Sequence, residues 1–237
     1  MEEKIQIPTK DDHIIYGILN YQRKKSDELI VFVHGLNGSQ NDHQFYNAAR
    51  FFSKTDFTTF RFNQYSGEKK GRTLTDCTTK MHAEDLNTVV NFFDDKFQEI
   101  YLVGHSLGGS VILLSDLEKV KSVVLWEPSI QLRKVKDKLT YNKELDVYVL
   151  SWSIEYLISK QMFEEWKYLD SRLVEKITRP TKIICADQGR LKDNWKKIVD
   201  KIQVPYEFMI LKGAGHCFDE EGAEEALFDE TLKWIQK

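Results

Sequence analysis

Apolar positions along the chain fall into short blocks that alternate between near-continuous runs and the three-to-four spacing of helix faces. Leu29-Ile30-Val31-Phe32-Val33 is an unbroken apolar run between a charged turn, Lys24 to Glu28, and His34-Gly35. Such a run predicts a strand buried on both faces. Phe45, Ala48, Ala49 and Phe52 then recur at helical spacing, and Phe57 to Phe62 returns to a strand-like run that stops at Asn63. A polar, glycine-bearing stretch, Tyr65 to Thr78, reads as a loop, after which Leu86, Val89, Val90 and Phe93 mark one face of a helix. Ile100 to Val103 predicts a strand, Leu107 to Leu117 a helix, and Lys121 to Trp126 a strand closed by Glu127-Pro128-Ser129. Strands alternating with helices at this spacing imply a mostly parallel sheet with helices on both faces, because parallel strands need long crossovers. Ile5 to Ile7 and Ile14 to Leu19, separated by Pro8 to Asp12, predict an antiparallel pair at the sheet edge.

The rhythm breaks between about Ile130 and Lys176. Tyr141, Tyr148, Trp152, Tyr156, Phe163, Trp166 and Tyr168 lie there among many charges, with helical periodicity in Trp152 to Leu157 and in Met162 to Leu173. The expectation is a small helical cap, residues 130–178, inserted into an α/β core made of residues 1–129 and 179–237. Most of the aromatics are expected to pack the cap onto the core and a few to line an apolar pocket. Alternation resumes at Arg179-Pro180 with the strand Thr181 to Cys185, a loop Ala186-Asp187-Gln188-Gly189, a helix from Leu191 to Ile202, the strand Tyr206 to Leu211, and a closing helix from Glu220 to Gln236.

Composition narrows the function classes. A chain of 237 residues with 41% hydrophobic and 30% charged residues is long enough for one sizeable core, and a net charge of −3 gives no electrostatic footprint for nucleic acid. Cys77, Cys185 and Cys217 form no C-x-x-C pair and leave an odd count, which argues against a disulfide framework and a zinc site. Cys217 is expected as buried packing. Met1 to Ile7 lacks the apolar segment of a secretory signal, and no run approaches the roughly 18 apolar residues of a membrane span. A cytoplasmic protein is expected.

The candidate chemistry centres on Gly104-His105-Ser106-Leu107-Gly108, a G-x-S-x-G between a predicted strand and a predicted helix. A serine at such a turn is held at the sheet tip with its hydroxyl exposed. That motif also arises by chance, so the groups around it carry the weight. A serine hydroxyl needs a base, an acid to orient the base, and donors for an oxyanion. Of six histidines only His216 follows Ser106, in a glycine-flanked loop just past a strand. The His34-Gly35 loop, directly after a buried strand, can turn backbone amides toward a ligand.

In these landmarks, His34-Gly35, the Gly104 to Gly108 elbow and Gly215-His216, the chain resembles the α/β-hydrolase fold family over nearly its whole length, with its order of serine, acid, histidine. Within it the chain most resembles the monoacylglycerol lipases and the small cinnamoyl or feruloyl esterases. The resemblance implies Ser106 as nucleophile, His216 as general base and acid, and the backbone N–H groups of Leu36 and Leu107 as oxyanion hole. It points to Asp187 as the acid, although the family's commonest pattern puts a glycine three residues before that aspartate, and Asp193 and Glu127 stay open. His34 and His105 are expected as supports. The implied reaction is hydrolysis of carboxylic esters with small to medium acyl chains, needing neither metal nor cofactor, on a small-molecule ester; homodimerisation is left open. Thioesterase, serine peptidase and acyltransferase activities share the same acyl-enzyme, and a non-catalytic, ligand-binding relative is the alternative outside enzymes.

Overall fold

In the computed structural model, which describes residues 1–132, 137–151 and 154–237, the central apolar run forms strand β3 (Glu28–Val33). Alternation along a strand sends Leu29, Val31 and Val33 to one face and Ile30 and Phe32 to the other. All five are buried, in two separate apolar layers. Around β3 an eight-stranded sheet is ordered β1 (Glu2–Pro8), β2 (Ile14–Asn20), β4 (Thr58–Phe62), β3, β5 (Glu99–His105), β6 (Ser122–Trp126), β10 (Thr181–Ala186) and β11 (Tyr206–Leu211). The six strands from β4 to β11 run parallel. The β1–β2 pair is antiparallel, as is β2 to β4, so the expected edge hairpin is present.

Helices α1 (His43–Lys54) and α6 (Ala223–Ile235) supply Phe45, Phe52, Leu227 and Phe228 to the layer that holds Phe32 and Trp126. Helices α2 (Thr79–Asp94) and α3 (Leu107–Leu114) put Leu86, Val89, Val111 and Ile112 into the layer on the opposite face. Thr78 caps α2 by accepting from the Met81 N–H at 3.2 Å. The chain leaves β3 for β4 on one side and returns to β5 on the other. This is the topological switch where open α/β sheets leave a crevice beyond the carboxyl ends of their strands. Ser106 stands at that end of β5.

The connection from β6 to β10 departs from the helical expectation. It contains a separate antiparallel sheet, β7 (Leu139–Asn142), β8 (Val147–Ser151) and β9 (Glu155–Ser159), followed by α4 (Lys160–Trp166) and a 3-10 turn, Ser171–Lys176. The helix read over Trp152 to Leu157 is therefore largely a strand, with Trp152 itself outside the described residues. In β9 the exposed Glu155 and Leu157 alternate with the half-buried Tyr156 and the buried Ile158, a two-residue period too short to separate in sequence from a helical repeat. The expected packing role holds for Trp166 and Phe163, which are buried, and Trp166 Nε1 donates to Thr79 Oγ1 at 2.9 Å. Tyr141 and Tyr168 are exposed. The helix read from Leu191 to Ile202 also divides, into α5 (Leu191–Lys196) and a 3-10 turn, Val199–Lys201. Among the described residues no helix is long and apolar enough to cross a membrane.

One contact ties α3 to the sheet. A Cβ on Gly108 would lie 2.1 Å from the Val33 carbonyl oxygen, so the α3 backbone can approach β3 only at glycine. The neighbour is backbone and cannot rotate away. Gly108→Ala is accordingly expected to destabilise the fold by about 3 kcal/mol, the upper end of overpacking costs. Thermal unfolding would show it as a midpoint lower by about 6–12 °C.

Candidate active site

The tight β5–α3 junction leaves Ser106 at φ 53° and ψ −117°, a conformation that a non-glycine residue holds only when its surroundings enforce it. Three backbone hydrogen bonds do so. Ser106 N–H donates to the Trp126 carbonyl at 3.0 Å, while the Ser106 carbonyl accepts from Ser129 N–H at 3.0 Å and Gly109 N–H at 3.1 Å. The side chain is thereby presented beyond the sheet edge, half-buried. Its Oγ lies 3.1 Å from His216 Nε2, a nucleophile–base distance. Ser129 Oγ is a second neighbour at 3.3 Å.

His216 sits on the loop between β11 and α6. His216 is exposed at the surface, and the protein around its ring partly desolvates it and lowers its pKa below the ordinary histidine value, favouring the neutral form that can accept a proton. Its backbone carbonyl accepts from His105 Nε2 at 2.8 Å, and His105 Nδ1 accepts from Gln44 Nε2 at 3.0 Å. The next residue corrects the sequence expectation: Cys217 is exposed, and it is Phe218 that turns inward and is buried. Partial burial and the carboxylates of Asp219, Asp42 and Glu220 raise the Cys217 pKa, which disfavours a thiolate.

The loop after β3 is ordered around one carbonyl. Gly35 O is bonded by Gly38 N–H at 3.1 Å, by His34 Nδ1 at 2.8 Å and by Tyr65 Oη at 3.3 Å. Because a trans peptide opposes its C=O and N–H, these three donors turn the Leu36 N–H the other way. A Cβ on Gly35 would stand 3.1 Å from Ser106 Cβ, so this loop backs directly onto Ser106. His34 is buried and neutral, its pKa lowered to about 4 by desolvation, and its Nε2 accepts from Gln64 N–H at 3.0 Å. The expected support role of His34 is thus met by a bond to its own loop. Leu107 opens α3, and the N–H of a first helical residue has no carbonyl within the helix to accept it.

The three candidate acids lie in different settings. Asp187 follows β10, and its N–H donates to the Leu211 carbonyl at 3.1 Å. Gln188 N–H donates to Ala214 O at 3.1 Å and Gln188 Nε2 to Gly213 O at 2.9 Å, so the Asp187 loop is joined to the His216 loop. Asp187 Oδ1 is buried without a hydrogen-bond partner. Glu127, fully buried at φ 41°, lies beneath that loop with Oε2 accepting from Ala186 N–H at 2.7 Å, and burial raises its pKa. A Cβ on Gly189 would meet Glu127 Oε1 at 2.1 Å, which explains the glycine there. Asp193 is exposed on α5 and pairs with Lys196 at 3.8 Å. Among the described residues no carboxylate hydrogen-bonds His216. The structure brings Ser106 and His216 together, joins the Asp187 and His216 loops, places Glu127 beneath the Asp187 loop and pairs Asp193 with Lys196.

Gln44 and Ser129 escaped the sequence reading. Gln44 carries a faint signal as a polar residue in the buried face of α1, beside Phe45; Ser129 carries none beyond its place after a strand end. No group of three or more histidine, cysteine or acidic side chains among the described residues could hold a metal ion.

Comparison with known proteins agrees with this fold. Est1E from Butyrivibrio proteoclasticus, in a structure with ferulic acid bound, superposes with a TM-score of 0.82 at 18% identity, covering 98% of this chain and 100% of that one. The α/β hydrolase GrgF from Penicillium sp. sh18 gives 0.79 at 16% identity, covering 100% and 98%. A dienelactone hydrolase from Anabaena variabilis gives 0.73 at 14% identity, covering 100% and 97%. No curated protein matches the sequence significantly. The family model for the alpha/beta hydrolase fold matches residues 28–153, from the first residue of β3 past the serine elbow. With more than half its length matched by that model, the chain belongs to the alpha/beta hydrolase fold family.

Proposed function

We propose that the chain is a serine hydrolase that cleaves carboxylic esters of small to medium acyl chains through an acyl-enzyme on Ser106. The observation that carries this is the 3.1 Å contact of Ser106 Oγ with the neutral ring of His216. In the proposed cycle His216 Nε2 takes the Ser106 proton as Oγ attacks the acyl carbon. The N–H groups of Leu36 and Leu107 hold the resulting oxyanion, and the proton passes to the departing alkoxide as the alcohol leaves. Water then attacks the acyl-enzyme, giving its proton to His216, and Ser106 Oγ departs to regain that proton as the acid is released. Asp187 is the proposed acid, since its buried, unpartnered Oδ1 stands on the loop tied to that of His216. Residues 130–178 are the proposed cap over the site. Ferulic acid in the Est1E structure supports including aromatic acyl groups among the candidate substrates.

A second reading, a hydrolase-fold protein that binds an ester-like ligand without turning it over, draws on one observation: no carboxylate among the described residues bonds His216. Both readings meet in one experiment, turnover of p-nitrophenyl esters of graded chain length and of a feruloyl ester, beside an acyl-CoA and an aminoacyl amide. The hydrolase reading expects ester turnover that Ser106→Ala abolishes and that Asp187→Asn lowers by about a hundredfold or more in kcat. Turnover of the amide alone would make the chain a peptidase, and binding without turnover would select the second reading.

The pH dependence follows from the lowered pKa of His216. Only the neutral ring accepts a proton, and a lowered pKa keeps the ring neutral further into acid. The acidic limb of kcat/KM, which reports the free enzyme, is therefore expected to have its midpoint below about 6.5, the unperturbed histidine value. A pH–rate profile from pH 4.5 to 8 measures it, and a midpoint at or above 7 would mean that a carboxylate partners the ring at rest.

A further inference from the structure

His105, the residue before the nucleophile, is the last residue of β5 and shares a strand face with Tyr101 and Val103. It is 5% exposed, yet both ring nitrogens are engaged. A carbonyl oxygen only accepts, so the 2.8 Å bond to His216 O requires the proton on Nε2. The lone pair is then on Nδ1, where Gln44 Nε2 donates to it at 3.0 Å. The two contacts fix one tautomer. Phe45 and Phe218 flank the ring edgewise, at centroid distances of 6.5 and 6.4 Å.

We propose that His105 is a positioning residue for His216: held by Gln44, it anchors the His216 carbonyl through Nε2–H and so keeps the His216 ring in register with Ser106 Oγ. The inference rests on the hydrolase reading above, in which His216 moves the proton. It gives the loop a fixed point at the residue where the reaction needs one. The two rings lie 4.9 Å apart, and a second charge at that distance would oppose the imidazolium that His216 becomes. Burial prevents this by lowering the His105 pKa to about 3, so His105 stays neutral while His216 cycles. Displacing a reacting group by about 1 Å can cost about a hundredfold in rate, which makes a single backbone anchor consequential.

The test compares His105→Phe, which keeps a ring and removes the donor, with His105→Gln, whose amide restores a donor near the Nε2 position. Gln44→Met leaves His105 in place and removes its holder. Steady-state hydrolysis of p-nitrophenyl butyrate, with thermal unfolding of each variant, gives the readout. The expected result is a kcat lower by about tenfold to a hundredfold in His105→Phe with KM changed less than about twofold. His105→Gln is expected to recover kcat to within about threefold of wild type, and Gln44→Met to lie between the two. Wild-type kcat in a folded His105→Phe would overturn the inference alone. Equal losses in the Phe and Gln variants that track their unfolding midpoints would do the same, because they describe packing. No turnover by the wild-type protein would overturn the hydrolase reading and this inference with it.

Discussion

The site depends on the close approach of two backbones. Where α3 crosses the end of β3, Gly108 meets the Val33 carbonyl with no room for a side chain, and the β5–α3 turn has to be correspondingly sharp. The conformational cost falls on Ser106, a non-glycine residue at positive φ, and is offset by three backbone bonds that reach it from β6, from the loop after β6 and from α3 itself. Such strain persists only where the surrounding structure over-determines it. The same approach brings Gly35 of the β3 loop against Ser106, so that one packing constraint bears on both the exposure of Ser106 and the position of the Leu36 amide.

Much of this was legible in the chain because strands buried on both faces leave unbroken apolar runs, and β3, β5, β6 and β10 all do. The elbow and the single downstream histidine could be read from local order alone. The β7–β9 sheet could not, since the apolar spacing over Trp152 to Leu157 imitates a helical repeat and β9 is set apart only by its pairing with β8. Nor could the Gln44–His105–His216 chain, whose bonds join residues 61 and 111 positions apart and exist only after the sheet has assembled. The exposure of Cys217 has the same origin: in a tight loop the next residue, Phe218, takes the inward position.

The acid loop shows how a departure from a common pattern is accommodated. Asp187 follows Ala186 with no glycine ahead of it, and the flexible position comes afterwards, at Gly189, where the buried Glu127 carboxylate leaves no space for a Cβ. Glu127, itself at positive φ, holds the Ala186 amide from below. Lys192 holds the Asp187 and Gly189 carbonyls from the other side. Glu127 thus forms the floor of the loop that carries the proposed acid.

The proposed function turns on Ser106 Oγ forming the covalent intermediate with His216 as its base. Acid quenching within milliseconds of mixing with an activated ester, followed by peptide mapping by mass spectrometry, locates the acyl group directly. One acyl group is expected, on Ser106. An acyl group on any other residue, Cys217 included, would contradict it.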